Sequence, residues 1–468
     1  MECVMKALLQ ATIRDIAQYC KRGVRICLLG LGATNRSALD LLLDIEDVES
    51  ITVCHPGLRS GDIPDTVRLI SSPDAFDRLD GDIIIPSPSV RRERLSPSEG
   101  AVYLTDYDLL FKSQPRKLFS VSGSDGKSTT VAMASQLLKA SLPDIFTGGN
   151  LGTPLWKTDI SRAFLLELSS YTLRYSQPRG GRALLTNVTP NHLDWHEDLS
   201  EYERTKLSVI ESASEPILNL SDVFSEKAAR EIDTFCLVSE AIPHKEIIKR
   251  YKTEHTVTVG GSAIMLDGEE TVRLSDVRLK ESHNVLNLAL AIALSIGYTD
   301  KERIQEVARG FEGLKERCEG FEIDGVKYVS SSIDTTPTRT QTTLRSLGTR
   351  VRIILGGRGK GISPEPLRDA LKDYATRIAM YGEIADELSD FINSDPSLKK
   401  IPHRAFKSFA DALNYACDGA VAGETVLLSP AATSYGEFKD YIERGRCFKE
   451  YVKSLHGKSY QENKHTKI

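Results

Sequence analysis

The chain has 468 residues, 40% of them hydrophobic and 27% charged, with a formal net charge of −5. That length exceeds one core and predicts roughly two to four domains, and the mild acidity gives no footing for a nucleic-acid partner. No run approaches the ~18 uncharged apolar residues of a membrane span, the start lacks a secretory signal's apolar centre, and eight scattered cysteines form no C-x-x-C pair, a usage that fits a reducing compartment.

The first region, residues 1–112, opens its pattern with Val24–Leu29 as a strand, Gly30-Leu31-Gly32 as a turn and Asn35–Leu43 as a helix. Ile51–Cys54 and Asp82–Ile85 read as further strands. Short apolar strands alternating with helices imply a parallel sheet covered on both faces. The GxG turn is similar to a dinucleotide fingerprint, but Asn35 stands where a third glycine is expected and His55, not an acid, follows the second strand. The expectation is therefore a phosphorylated ligand other than NAD.

The second region, residues 113–311, carries Gly123-Ser124-Asp125-Gly126-Lys127-Ser128-Thr129 between the apolar run Leu118–Val121 and a helical stretch Thr130–Leu138. Strand, glycine turn and a helix opening on Lys-Ser form the setting of a phosphate-binding loop, here with two residues between the glycines rather than the usual four. Backbone N–H groups surround phosphate oxygens, Lys127 adds a movable positive charge, and Ser128 or Thr129 offers a hydroxyl to Mg²⁺. Phe164–Glu167 reads as a strand ending in an acid, whose hard oxygens suit that ion unless it is simply solvated. Gly148–Pro154 reads as a turn that brings Asn150 and backbone to a ligand, and Ala183–Thr186 as a strand leading to Asn191–His196. In that cluster His192 is a candidate metal or substrate contact and His196 a structural histidine. Lys206, on a helical stretch, reads by pattern alone as a solvated lysine. Hairpin signals stand at Gly260-Gly261 and Asp267-Gly268, and Asn284–Ser295 reads as a buried helix with Asn284 as its cap.

The third region, residues 312–468, has strands at Val351–Leu355, Ile378–Tyr381 and Thr425–Leu428. The first feeds a glycine-rich loop, Gly356–Gly361, in which Lys360 is a candidate anion ligand or a plain loop charge. The whole is thus an α/β protein of three domains: a Rossmann-like N-terminal domain, a P-loop-type central domain and a Rossmann-like C-terminal domain.

GSDGKST (123–129), GGNLGTP (148–154), ELSSYTL (167–173), NVTPNHLDWH (187–196), YERTKLSVI (202–210), KESHNVLNLALA (280–291), IILGGRGKG (353–361) and LLSPAATSYGEFKDYIERGRCF (427–448) follow one another in the chain. In this order they resemble the Mur ligase superfamily, the ATP-dependent amide-bond ligases of peptidoglycan synthesis. The last two segments are similar to its D-glutamate-adding branch. The resemblance implies ATP held by residues 123–129, with Lys127 on its phosphates, Asn284 on the adenine and Arg317 near the nucleotide. It implies two Mg²⁺ ions, served by Ser128, Thr129 and Glu167, and by His192 and a carbamylated Lys206. Leu31, Gly32, Ala33, Thr34 and Asn150 would hold UDP-N-acetylmuramoyl-L-alanine. Thr335, Lys360, Ser434 and Tyr441 would hold D-glutamate. A monomeric, cytoplasmic enzyme working through an acyl phosphate is the expectation.

The chain departs from the family pattern at several positions. His55 takes the place of an acid that meets the uracil or ribose, and Asn35 that of a small residue. Ser87-Pro88-Ser89 replaces Ser-Pro-Gly, Asn191 an acid, and Glu316 a histidine. Ser331 and Asp334 replace the acid and the alanine of a D-S-x-A-T-x-P segment. A carboxylate at Asp334 is poorly placed in an anion clamp, which leaves a sibling ligase with another amino acid as one alternative, and the changes at Asn191, Glu316 and Ser331 leave a catalytically silent nucleotide-binding scaffold as another.

Overall fold

The computed structural model describes residues 4–455 except 57, 59, 73, 78, 88–89, 91–94, 116, 150–153, 190–194, 315–317 and 360–361. Asn150, Asn191, His192, Glu316, Arg317 and Lys360 lie outside the described residues. The chain divides into two compact units, Met1–Glu312 and Gly313–Ile468. The first holds two sheets and the second one.

The first sheet has the order Arg68–Ile70, Val48–Cys54, Val24–Leu29, Ile83–Pro86, Val102–Tyr103, and every pairing is parallel. The chain order reverses between Val24–Leu29 and Ile83–Pro86, so a crevice opens at the carboxyl ends of these two strands. The Gly30–Gly32 turn lies there. The helix Ala33–Leu42 starts directly after it. The N-terminal helix Val4–Cys20 buries Met5, Leu9 and Ile13 on one face.

The second sheet runs Glu269–Arg273, Ala263–Leu266, Thr253–Gly260, Thr234–Ser239, Glu215–Asn219, Arg182–Leu185, Leu118–Ser122, Phe164–Glu167, Phe146–Gly149. Its seven strands from Thr253–Gly260 to Phe146–Gly149 are parallel, and the two hairpins expected at Gly260-Gly261 and Asp267-Gly268 add the antiparallel edge. Gly148 and Gly149 belong to an edge strand rather than to the expected turn. The reason is local: a Cβ at Gly149 would collide with the Glu167 backbone of the neighbouring strand, so glycine lets the two strands pair closely.

Two helices, Lys127–Leu138 and Ser282–Ser295, share one apolar cluster on this sheet. Ser282–Ser295 buries nearly every side chain from Val285 on, which explains its apolar character on all sides. Arg182 fastens its C-terminus. The guanidinium is buried, pairs with Glu215 at 2.6 Å and donates to the carbonyls of Leu294 at 3.0 Å and Ile296 at 2.7 Å. It also lies 3.9 Å from the Phe235 ring centroid.

The second unit has the order Glu319–Ile323, Val326–Ser330, Thr425–Leu428, Val351–Gly356, Ala375–Tyr381, His403–Phe406, antiparallel only at its first pair. Among the described residues no helix is long and apolar enough to cross a membrane.

Arg182 satisfies two carbonyls at the helix end, where the intrahelical ladder runs out. Arg182→Met is expected to cost about 2–4 kcal/mol. A urea titration of the variant tests this. An unchanged midpoint would remove Arg182 from its structural role.

Candidate active site

The loop Gly123–Gly126 leaves the carboxyl end of Leu118–Ser122, the strand at which the second sheet reverses chain order. Two glycines set its path. Gly123 and Gly126 have φ of +140° and +79°, and added Cβ atoms would strike Thr186 Oγ1 and Asn287 Oδ1 respectively. The loop is thus pressed between the end of Arg182–Leu185 and the helix Ser282–Ser295. Thr186 Oγ1 donates to the Asp125 carbonyl at 2.7 Å, and the Asp125 N–H donates to Asn187 Oδ1 at 2.9 Å. Ser124 Oγ lies 2.8 Å from Tyr202 OH and accepts from the Thr189 N–H at 2.9 Å.

Two lysines converge on one carbonyl. Lys127 Nζ donates to Gly123 O at 2.8 Å and Ser124 O at 2.6 Å. Lys206 Nζ donates to the same Gly123 O at 2.8 Å and to Ser122 Oγ at 3.3 Å. Lys206 is 2% exposed, which overturns its reading as a solvated helix lysine. It lies on the inner face of Leu199–Glu211 among Tyr202, Val209 and Ile210. Burial pushes its ammonium well below the ordinary lysine value and nearby Lys127 adds to this, against Glu167 and Asp125. The amine is therefore held towards its neutral, nucleophilic form.

Glu167, at the end of the adjacent strand Phe164–Glu167, is 1% exposed and so is no solvated strand-end acid. Ser128, in the first turn of Lys127–Leu138, is buried too. Hydroxyl and carboxylate oxygens around a phosphate loop are hard donors and fit Mg²⁺. Among the described residues there is no group of three or more His, Cys, Asp or Glu that could hold an ion.

Asn284 is not the cap of its helix. It is the third residue of Ser282–Ser295, the N-cap is Glu281, and Asn284 Nδ2 donates to Glu281 Oε2 at 3.0 Å. Asn287, one turn further, reaches the phosphate loop and accepts from Thr130 Oγ1 at 3.3 Å. Sequence reasoning passed over it, although a polar residue inside an apolar helix was the signal. His196 is buried, with Nδ1 2.6 Å from Glu201 Oε2. Burial lowers its pKa against the pull of Glu201.

In the first domain the turn is tied from both sides. Asn35, 1% exposed, donates through Nδ2 to the carbonyls of Leu29 and Gly30 at 3.0 Å each and of Ile85 at 3.3 Å. The Leu31 N–H donates to His55 Nδ1 at 2.9 Å. The helix beginning at Ala33 has Gly32 as N-cap without a side-chain cap, so its first amides have no intrahelical acceptor. A cavity of about 230 Å³ runs from Thr34 and Asn35 to Gly149, Ser169 and Tyr171 of the central domain. Asp106 lines it. Burial pushes the Asp106 carboxyl up to about 7, against backbone donation from Leu155 and Tyr107.

In the second unit Arg444, fully buried, gathers three strand ends. Its Nε and Nη2 donate to Ser332 Oγ and Ser332 O at 2.9 Å each, and Nη1 to Ala432 O at 3.1 Å and Gly356 O at 3.5 Å. The loop after Gly356 also pairs with the 433 segment, with N–H groups of Arg358 and Thr433 exchanged at 3.0 and 3.1 Å. Thr335 and Ser434 are thereby carried on loops that Arg444 joins, and Tyr441 stands one turn before it on Tyr441–Leu455. Asp334 is turned into the fold. Its Oδ2 accepts from Thr343 Oγ1 and Ser429 Oγ at 2.7 Å each, with 5% of the residue exposed. Asp334 is therefore held by internal hydroxyls rather than turned outwards as a new clamp charge.

A family model described as the Mur ligase middle domain matches residues 121–295. A UDP-N-acetylmuramoylalanine–D-glutamate ligase of Clostridium botulinum (strain Okra) is 29% identical over 466 residues, covering 94% of this chain and 98% of the relative. The ligase of the same name from Clostridium novyi is 32% identical over 404 residues, covering 83% and 86%. Among solved structures, the UDP-N-acetylmuramate–alanine ligase of Thermotoga maritima aligns with a TM-score of 0.52 at 17% identity, covering 92% of this chain and 100% of that one. That likeness supports the three-domain fold. The chain belongs to the Mur ligases, in the family of the UDP-N-acetylmuramoylalanine–D-glutamate ligases.

Proposed function

We propose that this protein is an ATP-dependent amide-bond ligase that joins D-glutamate to UDP-N-acetylmuramoyl-L-alanine in peptidoglycan synthesis. The observation that carries the reading is the pair Lys127 and Lys206 on the Gly123 carbonyl, with the buried Glu167 at the next strand end. Residues 1–112 receive the uridine nucleotide, 113–311 bind ATP and 312–468 bind the amino acid. The protein works as a monomer in the cytoplasm, where these substrates meet.

The alanyl carboxylate of the UDP-sugar attacks the γ-phosphorus of ATP. The bond to the β–γ bridging oxygen breaks, ADP leaves and an acyl phosphate remains. The uncharged amine of D-glutamate adds to the acyl carbon, gives up a proton and expels inorganic phosphate. Lys127 and the loop amides stabilise charge on the transferred phosphoryl group. Two Mg²⁺ ions, when bound, neutralise phosphate charge. Ser128, Thr129 and Glu167 would hold one, His192 and a carbamate on Lys206 the other. The depressed Lys206 amine supports the carbamate, because only the neutral amine adds to carbon dioxide. Asn284, Asn287 and Arg317 flank the nucleotide, Asn150 and the 31–34 turn hold the UDP-sugar, and Thr335, Lys360, Ser434 and Tyr441 hold D-glutamate.

ADP release measured with ATP, Mg²⁺, UDP-N-acetylmuramoyl-L-alanine and a panel of amino acids is expected to depend on D-glutamate. Equal release with a different amino acid, or none with any, would overturn the assignment. Lys127→Ala is expected to lower kcat by about 10²–10³-fold in the same assay. A near-normal kcat would free Lys127 of its role.

A further inference from the structure

The hydrogen bond from the Leu31 N–H to His55 Nδ1 fixes the state of the ring. A nitrogen that accepts carries no proton, so the imidazole is neutral with its hydrogen on Nε2. An imidazolium would turn an N–H towards the Leu31 N–H, donor against donor. The rest of the turn leaves little room to adjust. The Gly30 N–H is bound to Cys54 O at 2.8 Å, the Leu29, Gly30 and Ile85 carbonyls are held by Asn35, and Gly30 has φ of +74°. Leu31 is therefore the one link of the turn among the described residues whose partner can change its hydrogen-bonding sense by taking up a proton.

We propose that His55 is a positioning residue for the uridine nucleotide, holding the Gly30–Gly32 turn through a neutral imidazole and releasing it when the ring takes up a proton. This rests on the reading that the first domain receives the UDP-sugar. Leu31 N–H is committed to His55, so the ring acts on the ligand through the amides that follow, Gly32, Ala33 and Thr34. Among the described residues, the charged groups facing the ring are Arg36, on the helix after the turn, and Asp62, on the short segment Ser60–Asp62 beside it. Burial first, and Arg36 second, keep the ring below the ordinary histidine value, with Asp62 opposing. The neutral ring is thus the form above that range, and acid is what switches it.

The test is the Kd of UDP-N-acetylmuramoyl-L-alanine, measured by calorimetry from about pH 8 to about pH 5. Its diphosphate is esterified at both ends and has no ionisation in that interval, so the ligand adds no slope of its own. Wild type is expected to weaken about tenfold across it, the worth of one hydrogen bond. His55→Asn, whose amide oxygen keeps an acceptor near the Nδ1 position and does not titrate, is expected to bind tightly at all pH values. His55→Leu is expected to bind weakly at all of them, while the KM for ATP stays the same in each. A flat wild-type profile, or a slope retained in His55→Asn, overturns the role of His55 while leaving the ligase assignment standing. Absence of binding by wild type at about pH 8 overturns both.

Discussion

The Lys206 amine, buried against the carbonyl of Gly123, is the interaction on which the centre of this protein depends. A parallel sheet ends in carbonyls that point into the crevice where ligands bind, and a buried carbonyl needs a donor. Water would serve, but a phosphate-transfer site must exclude water. The protein answers with a nitrogen brought in on a helix. Lys206 joins Leu199–Glu211 to the loop, and the same contact removes its ammonium from solvent and lowers its proton affinity. One residue therefore shapes the loop and supplies an amine biased towards its neutral form beside it.

The other two sheets meet the same constraint in the same way. Asn35 answers the carbonyls at the ends of Val24–Leu29 and Ile83–Pro86. Arg444 answers those of Ser332, Gly356 and Ala432. Each is a polar side chain on the buried face of a helix, and each joins strand ends that carry proposed binding residues. Asn35 is short and reaches its own turn, whereas Arg444 spans three loops with one planar fork. Removing Asn35 or Arg444 would unmake a site rather than a single contact, because several carbonyls would lose this partner at once.

How much of this was legible follows from the kind of signal each residue gives. Apolar runs such as Val24–Leu29 and Val351–Leu355 announced parallel strands, and Gly260-Gly261 and Asp267-Gly268 announced the two hairpins. The helix Val4–Cys20 was not read, though Met5, Leu9 and Ile13 stand at helical spacing. Lys206 was misread because a lysine's charge outweighed its position. Tyr202, Val209 and Ile210 lie on the same helical face, so the pattern already placed it inwards. Asn35 with Ala38, Leu39 and Leu42, and Arg444 with Phe448 and Val452, repeat that lesson. A polar residue at a core position of an amphipathic helix is a site signal, since burial without partners is too costly to persist. Asp334 taught the reverse. Its charge suggested an altered binding clamp, but its partners Thr343 and Ser429 are distant in sequence and only the folded chain reveals them.

On the proposed function, the amine held on Gly123 becomes a carbamate and serves the metal side of phosphoryl transfer. Carbon-13 NMR of the protein equilibrated with labelled bicarbonate tests it most directly. Wild type is expected to show one carbamate resonance that is absent from Lys206→Met. A spectrum without that resonance, or one that Lys206→Met retains, would contradict it.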